Sequence, residues 1–392
     1  MAESSGELAP PRLEWTGSGV FLILLHAAVL IGVPLYVAHT PLSWPLIGTT
    51  LVVMYASLIG ITAGYHRLYA HQAYAAARPV EAVFLFLGTL AFQGPAIRWS
   101  FDHRAHHRHV DREGDPYNVR HGFWHAHVLW IFSRPRPIDG TVKDLWANPL
   151  AKFQYRYYVP LALASNALVA LAAGWLLHDT VGAFVVLVGV RLVLSYHITW
   201  CINSLAHYWG SRSYSKELTA RDNYIVAMIT VGEGYHNYHH VFASDYRNGI
   251  HWYHVDPGKW VIWLLSRFRL AWNLQRQPEE KVRRIQVRLD TELLLQRLRH
   301  AASAGAAEFR TRLETRFGPL AHLEANVIAR SESLKAKIEE LAHWREAKRT
   351  ARAGHPIPVE HHGIHERVRE LQRSFRTEWT EWCQLCGVIL QS

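Results

Sequence analysis

For its first two-thirds the chain alternates long apolar runs with polar stretches rich in histidine, and then its character changes. A bilayer core takes about 20 mostly apolar residues per helix. Four runs meet that length: Val20 to Ala38, Trp44 to Ala63, Tyr158 to Leu177, and Val181 to about Ala206. Short polar links, one containing Pro41 and one containing His178 and Asp179, join them into two hairpins. Two shorter runs, Val80 to Ala91 and Trp260 to Leu274, are brief or interrupted by charge; they are expected to lie in the interface or pack on a soluble domain. From about Gln275 apolar residues recur at helical spacing among Arg, Glu and Gln, which predicts long charged helices such as Glu279 to His300 and Ala321 to Arg352. The expected fold is an all-α integral membrane protein, with four transmembrane helices in two hairpins beneath a cytosolic helical cap. The expected division is a polar N-terminal segment (1–19), a membrane domain with its cap (20–274) and a helical C-terminal extension of unassigned role (275–392).

Charge orients this layout. The hairpin tips His39-Thr40-Pro41 and His178-Asp179-Thr180 carry no Lys or Arg, whereas Arg67, Arg98, Arg104, Arg108, Arg134, Arg136, Arg212 and Lys216 lie on the other side. Positive charge collects on cytoplasmic loops, so both termini and every histidine cluster are expected on the cytoplasmic face. Arg191 falls within the fourth run, is costly in lipid, and is expected to face the protein interior. A net charge of +10 suits an anionic membrane face or an anionic head group. The basic residues flank apolar runs and form no dense patch, so no nucleic-acid partner is expected. The stretch to Thr16 lacks the basic region of a cleavable signal peptide. Three cysteines, Cys201, Cys383 and Cys386, argue against a disulfide scaffold, and leave imidazoles to hold any metal.

Nine histidines have metal-like spacing: His66 and His71; His103, His106 and His107; His207; and His236, His239 and His240. The triplets share the pattern H-x-x-H-H, and positions i, i+3 and i+4 lie on one helix face. Each triplet is therefore expected to aim several imidazoles at one point. Imidazole suits several transition metals. Four ligands satisfy a structural zinc ion and three plus water a catalytic one, so nine suit two ions. No H-E-x-x-H zinc-protease helix is present, and an oxygen-activating di-iron site is the better match. His26, His39, His178 and His197 read as hydrogen-bonded core or interface residues, and His109, His121, His125 and His127 as non-ligands. Asp102, Asp111, Asp115 and Glu233 read equally as partners that fix imidazole tautomers or as ordinary ion-pair and capping residues.

Four strings together, Gly60-Ile61-Thr62-Ala63-Gly64-Tyr65-His66-Arg67-Leu68-Tyr69-Ala70-His71, Asp102-His103-Arg104-Ala105-His106-His107-Arg108, Asn203-Ser204-Leu205-Ala206-His207 and Gly232-Glu233-Gly234-Tyr235-His236-Asn237-Tyr238-His239-His240, resemble the membrane-bound fatty acyl desaturases of the stearoyl-CoA (delta-9) type. The likeness runs from about Val20 to about Leu274. It implies that the nine histidines bind two irons, with Asn203 reaching a metal through a water. It also implies an O2-dependent removal of two hydrogens from neighbouring methylenes to leave a cis double bond. Gln93, Trp99, Thr199 and Trp200 match residues that shape a bent acyl tunnel in that family. Met54 and Leu58 are candidates for the tunnel floor, and Leu58 stands where some members have a smaller residue. Gly94 and Phe101 replace an Asn and an Arg that lie near the CoA head group in the animal enzymes. Two polar contacts to CoA are thus missing; acyl-CoA remains the first expectation all the same, with acyl carrier protein or a phospholipid behind it, and Arg134 and Arg136 as candidate phosphate contacts. The rival within the same chemistry is a hydroxylase of alkanes, sterols or carotenoids; from another class, it is a zinc-using structural or transport protein.

The last third carries no H-P-G-G haem string, and His355-Pro356-Ile357-Pro358 is only superficially similar to one. Electrons are then expected from a separate ferredoxin, rubredoxin or cytochrome with its reductase. Cys383-Gln384-Leu385-Cys386 is half a metal motif without a second pair, and its thiols are expected to be idle. Richness in Arg and Ala points to a bacterial plasma membrane ahead of the endoplasmic reticulum.

Overall fold

The structure is a computed structural model that describes residues 12–352 and 363–391. His355 to Pro358 lie outside the described residues, as do most of the N-terminal segment and the last residue. The chain divides into two compact units, Met1–Arg212 with Glu217–Arg276, and Ser213–Lys216 with Gln277–Ser392.

The first unit holds eight helices that matter here: α1 (Gly17–His39), α2 (Trp44–Ala70), α3 (Arg78–Leu90), α4 (Ala96–His109), α5 (Tyr158–Leu177), α6 (Thr180–Tyr208), α7 (His236–Val241) and α8 (Pro257–Arg267). Helices α1, α2, α5 and α6 are long and apolar enough to cross a bilayer. Their outer faces leave Leu24, Leu30, Leu35, Leu168 and Leu171 exposed, a surface that only lipid covers favourably. Thr16 caps α1 by accepting from the Gly19 amide, and Ser43 caps α2 ahead of Pro45. At the hairpin tips the Tyr36 hydroxyl donates to Asp179 Oδ2 (2.6 Å), while Asp179 also accepts from the Gly182 amide (2.8 Å). This joins α1 to the start of α6.

The second span runs past Ala63 to Ala70, because its last eleven residues, Gly60–Ala70, wind as a π-helix. Helix α3 packs against this segment and does not lie free in the interface. Close approach is possible because glycines face each other there: a Cβ on Gly60 would sit 2.6 Å from the Gly88 amide, and one on Gly88 would sit 2.3 Å from Tyr65 Cε1. Gly88→Ala is accordingly expected to cost about 1–3 kcal/mol by overpacking, read as a lower unfolding temperature of the detergent-solubilised protein.

The run expected to continue to Leu274 stops as a helix at Arg267. Arg269 adopts φ 59°, the Leu270 amide returns to Leu265 O (3.0 Å), and the chain then extends. Ala271–Trp272 (β2) pairs antiparallel with Ala75–Ala76 (β1). Arg191 is fully buried, with Nε on Leu187 O (2.8 Å), a terminal nitrogen on Leu90 O (3.1 Å) and another on the Asn166 side chain.

The second unit is helical: α9 (Glu279–Ala301), α10 (Ala307–Phe317), α11 (Leu320–Arg352) and α12 (Ile364–Gln391). Val287, Leu294, Leu323, Leu334, Ile338 and Trp382 form its core. The Trp382 indole N–H donates to Asp290 Oδ2 (3.2 Å). Cys383 and Cys386 both sit on α12, the first exposed and the second buried.

Candidate metal centre

Four elements deliver the histidines. In an α-helix, residues five apart are separated by about 140° around the axis, so regular winding would turn His66 and His71 away from each other. The wide π-turn prevents this: the His71 amide bonds His66 O (3.0 Å), and the two rings lie 4.8 Å apart. Helix α4 contributes His103, His106 and His107, the end of α6 contributes His207, and α7 contributes His236, His239 and His240.

All nine come together, but in two groups. His66, His71, His103, His107 and His239 place their ligand nitrogens within 4.8 Å of one another, and so do His106, His207, His236 and His240. The expectation that each H-x-x-H-H triplet converges on one point is corrected here. In each triplet the pair four apart (His103 with His107, and His236 with His240) serves one group, and the remaining histidine serves the other. Helices α4 and α7 therefore hold the two groups side by side, with His107 stacked on His240 at 4.3 Å.

The outer nitrogens show what the inner ones do. His66 Nδ1 meets Glu233 Oε2 (2.9 Å), and His106 Nδ1 meets Asp115 Oδ1 (2.8 Å). His207 Nδ1 meets Thr219 Oγ1 (2.6 Å), which donates in turn to Asp111 Oδ1 (2.6 Å). An acceptor at Nδ1 keeps the proton there and turns the Nε2 lone pair inward. Of the four acidic candidates, Asp102 differs: it pairs with Arg98 on its own helix (3.0 Å), with no hydrogen bond to a ligand histidine among the described residues. Inside, Nε2 atoms face each other at 3.0 Å for His66 and His239, and at 3.2 Å for His106 and His240. His207 Nε2 is buried with no partner among the described residues. Inward lone pairs at such distances repel unless a cation lies between them. The donor set therefore fits two metal ions, and neutral nitrogen donors suit iron.

Burial, then the neighbouring imidazoles, push His71, His103, His107, His236, His239 and His240 well below the ordinary histidine pKa. They are neutral at pH 7, as ligands must be. Freed of metal, the folded protein resists protonating them while the unfolded chain does not. Stability of chelator-treated protein is therefore expected to fall as pH drops through about 6.5. A melting temperature that holds or rises over that interval contradicts this. Burial alone would raise the Glu233 carboxyl, but His66 and the Arg67 guanidinium hold it down at about 2. Arg67 is itself buried between Glu233 (3.0 Å) and Asp256 (2.9 Å), and Asn248 Nδ2 donates to Glu233 Oε2 (2.7 Å).

Among the candidate substrate residues, Gln93 Nε2 donates to Thr199 Oγ1 (2.9 Å). Gln93 is presented by a sharp bend between α3 and α4, with Phe92 at φ 54° and Gly94 at φ 93°. The Trp99 ring stacks on His103 at 4.9 Å. Trp200 is buried and stacks on Tyr196. Met54 and Leu58 lie in a small apolar cluster with Val231, against Ile198. Asn203 is half-buried, one turn before His207. Arg134 is exposed, while Arg136 donates to Gly114 O (2.8 Å) and lies over the Phe101 ring.

Four apolar helices and two adjoining histidine clusters define a multi-pass membrane protein with two groups of imidazoles that could each hold a metal ion. Residues 42–273 match the sequence model of the family described as "Fatty acid desaturase". The chain belongs to the fatty acid desaturase family. It is 42% identical over 268 residues to a probable acyl-CoA desaturase of Schizosaccharomyces pombe, covering 66% of this chain and 56% of that protein. It is 38% identical over 228 residues to acyl-CoA desaturase 1 of Saccharomyces cerevisiae, covering 57% of this chain and 45% of that protein. It is 36% identical over 276 residues to stearoyl-CoA desaturase 2 of Mus musculus, covering 68% of this chain and 76% of that protein. The chain thus spans about half the length of the two yeast proteins.

Proposed function

We propose that the protein is an O2-dependent fatty acyl desaturase that introduces a cis double bond into a saturated acyl chain, delta-9-like and carried on CoA. The observation that carries this is the convergence of nine imidazoles in two adjoining groups, in a chain whose relatives are named acyl-CoA and stearoyl-CoA desaturases. The five-histidine and four-histidine groups would each hold one iron, with Asn203 reaching the second group through a water. When bound, the iron pair supplies the oxygen activation that an unactivated methylene needs, since such a carbon offers neither an acidic proton nor a leaving group.

The chain's own residues position and shield. Glu233 and Asp115 fix the tautomers of His66 and His106. Gln93, Thr199 and Trp200 form the bend that presents one pair of carbons, Trp99 packs its ring on His103, and Met54 and Leu58 close the far end. The overall conversion consumes O2, two electrons and two protons and releases two waters. The electrons come from a separate ferredoxin, rubredoxin or cytochrome with its reductase. In this reading the membrane domain and cap occupy 20–274 between a short polar segment (1–19) and the C-terminal extension (275–392), with both termini and the metal face cytoplasmic. A bacterial plasma membrane draws no support from the relatives named above, which come from two yeasts and a mouse.

Expression in a host lacking unsaturated fatty acids, followed by gas chromatography of its lipids, tests the reading. A new monoene is expected. Hydroxy fatty acids in its place would reassign the protein as a hydroxylase, and unchanged lipids would refute the oxidation altogether. Feeding acyl-CoA, acyl carrier protein or phospholipid substrates to membranes identifies the carrier.

A further inference from the structure

Three histidines outside the metal centre form a connected chain. His26 of α1 directs Nε2 at His197 Nε2 of α6 (3.2 Å), His197 Nδ1 meets His127 Nε2 (3.0 Å), and His127 Nδ1 meets Ser204 Oγ (2.9 Å). At the other end His26 Nδ1 faces Leu22 O (2.8 Å). One set of neutral tautomers satisfies the three links from Leu22 O through His26 and His197 to His127. A carbonyl only accepts, so His26 carries its proton on Nδ1 and accepts at Nε2. His197 then donates from Nε2 and accepts at Nδ1, and His127 donates from Nε2; the one Ser204 hydrogen serves either His127 Nδ1 or Trp200 O. His197 uses its two nitrogens on opposite neighbours, so the three rings share no common point, and none belongs to either metal group. Both ends meet helical carbonyls, Leu22 O at His26 and Trp200 O through Ser204. It is built as a fixed polar strut.

What the strut touches gives it a purpose. The rings of His197 and His127 meet the Trp200 ring edge-on, at 5.1 and 5.8 Å, and stack on each other at 5.2 Å. Tyr196 closes another side of Trp200 at 5.5 Å. Ser204 Oγ also lies 2.9 Å from Trp200 O. Leucines would fill this space at no desolvation cost. Imidazoles linked end to end add a fixed orientation of each ring, because hydrogen bonds set the ring planes. Trp200 is held by neighbours that cannot rotate independently, and its neighbour Thr199 is held by Gln93.

We propose that His26, His197 and His127 act as positioning residues: an imidazole brace that locks the Trp200 ring and so fixes which carbons of the acyl chain reach the metals. This rests on the desaturase reading above. Its signature is positional fidelity, which a merely structural role would not move.

The test uses the full chain in the host lacking unsaturated fatty acids, with gas chromatography–mass spectrometry of double-bond position and iron per purified chain. Variants are His127→Leu, His197→Leu, the bond-preserving His127→Gln and His197→Gln, Trp200→Ala, and His127→Leu combined with Trp200→Ala. The Leu variants are expected to keep iron but raise the fraction of misplaced double bonds several-fold, and the Gln variants to restore fidelity in large part. The combined variant is expected to match Trp200→Ala alone, since residues acting through one another are not additive. Wild-type positions in the Leu variants, Gln variants as unfaithful as Leu, additivity in the combined variant, or loss of iron in step with activity each overturn the brace while leaving the desaturase reading intact. No monoene from the unaltered chain overturns both.

Discussion

His107→Ala and His240→Ala are each expected to abolish fatty acyl oxidation while the protein still inserts into membranes. The two rings stack at the junction of the groups: His107 Nε2 lies 3.0 Å from His239 Nε2, and His240 Nε2 lies 3.1 Å from His236 Nε2. Losing one donor from a group of four or five would leave an ion held there underligated and open a path for water. The expected readings are product below detection by gas chromatography and iron below two per chain by elemental analysis. Both residues lie outside the four apolar spans, so membrane content should stay near wild type. Retained activity in both variants would contradict the assigned ligand set.

Arg67→Met is the substitution expected to cost the most stability. The guanidinium is 1% exposed and neutralises two carboxylates, Glu233 and Asp256, that are buried as deeply. Removing one partner of a buried ion pair leaves uncompensated charge and costs about 3–5 kcal/mol. Glu233 also fixes His66, so the damage should reach the metal centre. A lower unfolding temperature is expected together with weaker iron retention during dialysis against a mild chelator. A variant that unfolds like the wild type would show that water already reaches this network.

Apolar run length made the four spans legible in the sequence, since lipid imposes that length whatever the tertiary packing. The third span ends where its run does, at Tyr158 and Leu177, and only the second departs by more than three residues. The second span outruns its apolar stretch because the π-segment continues through His66, Arg67 and Tyr69, which are polar in composition yet buried, Arg67 between Glu233 and Asp256. The Trp260–Leu274 run hid a break, because Arg269 in a left-handed conformation is set by the Leu270-to-Leu265 bond and by pairing with a distant strand.

The histidine set was visible as spacing, but its division was not. Which ring of H-x-x-H-H turns toward which neighbour depends on how α4 and α7 face each other, a tertiary relation that spacing does not encode. The five-residue gap between His66 and His71 was the one local clue that regular winding would not do. Asp102 and Glu233 looked alike in sequence, and only the fold separates them. One lies beside Arg98 on its own helix, and the other reaches His66 across the unit.

The wide coil at Gly60–Ala70 makes the length of this stretch as intolerant of change as its chemistry. Adding a single residue between His66 and His71 would leave them six apart, about 120° from each other around a helix of ordinary winding. His71 would then face away from its four companions, although every histidine would still be present. Among relatives of this chain, substitutions in the segment should therefore be commoner than insertions.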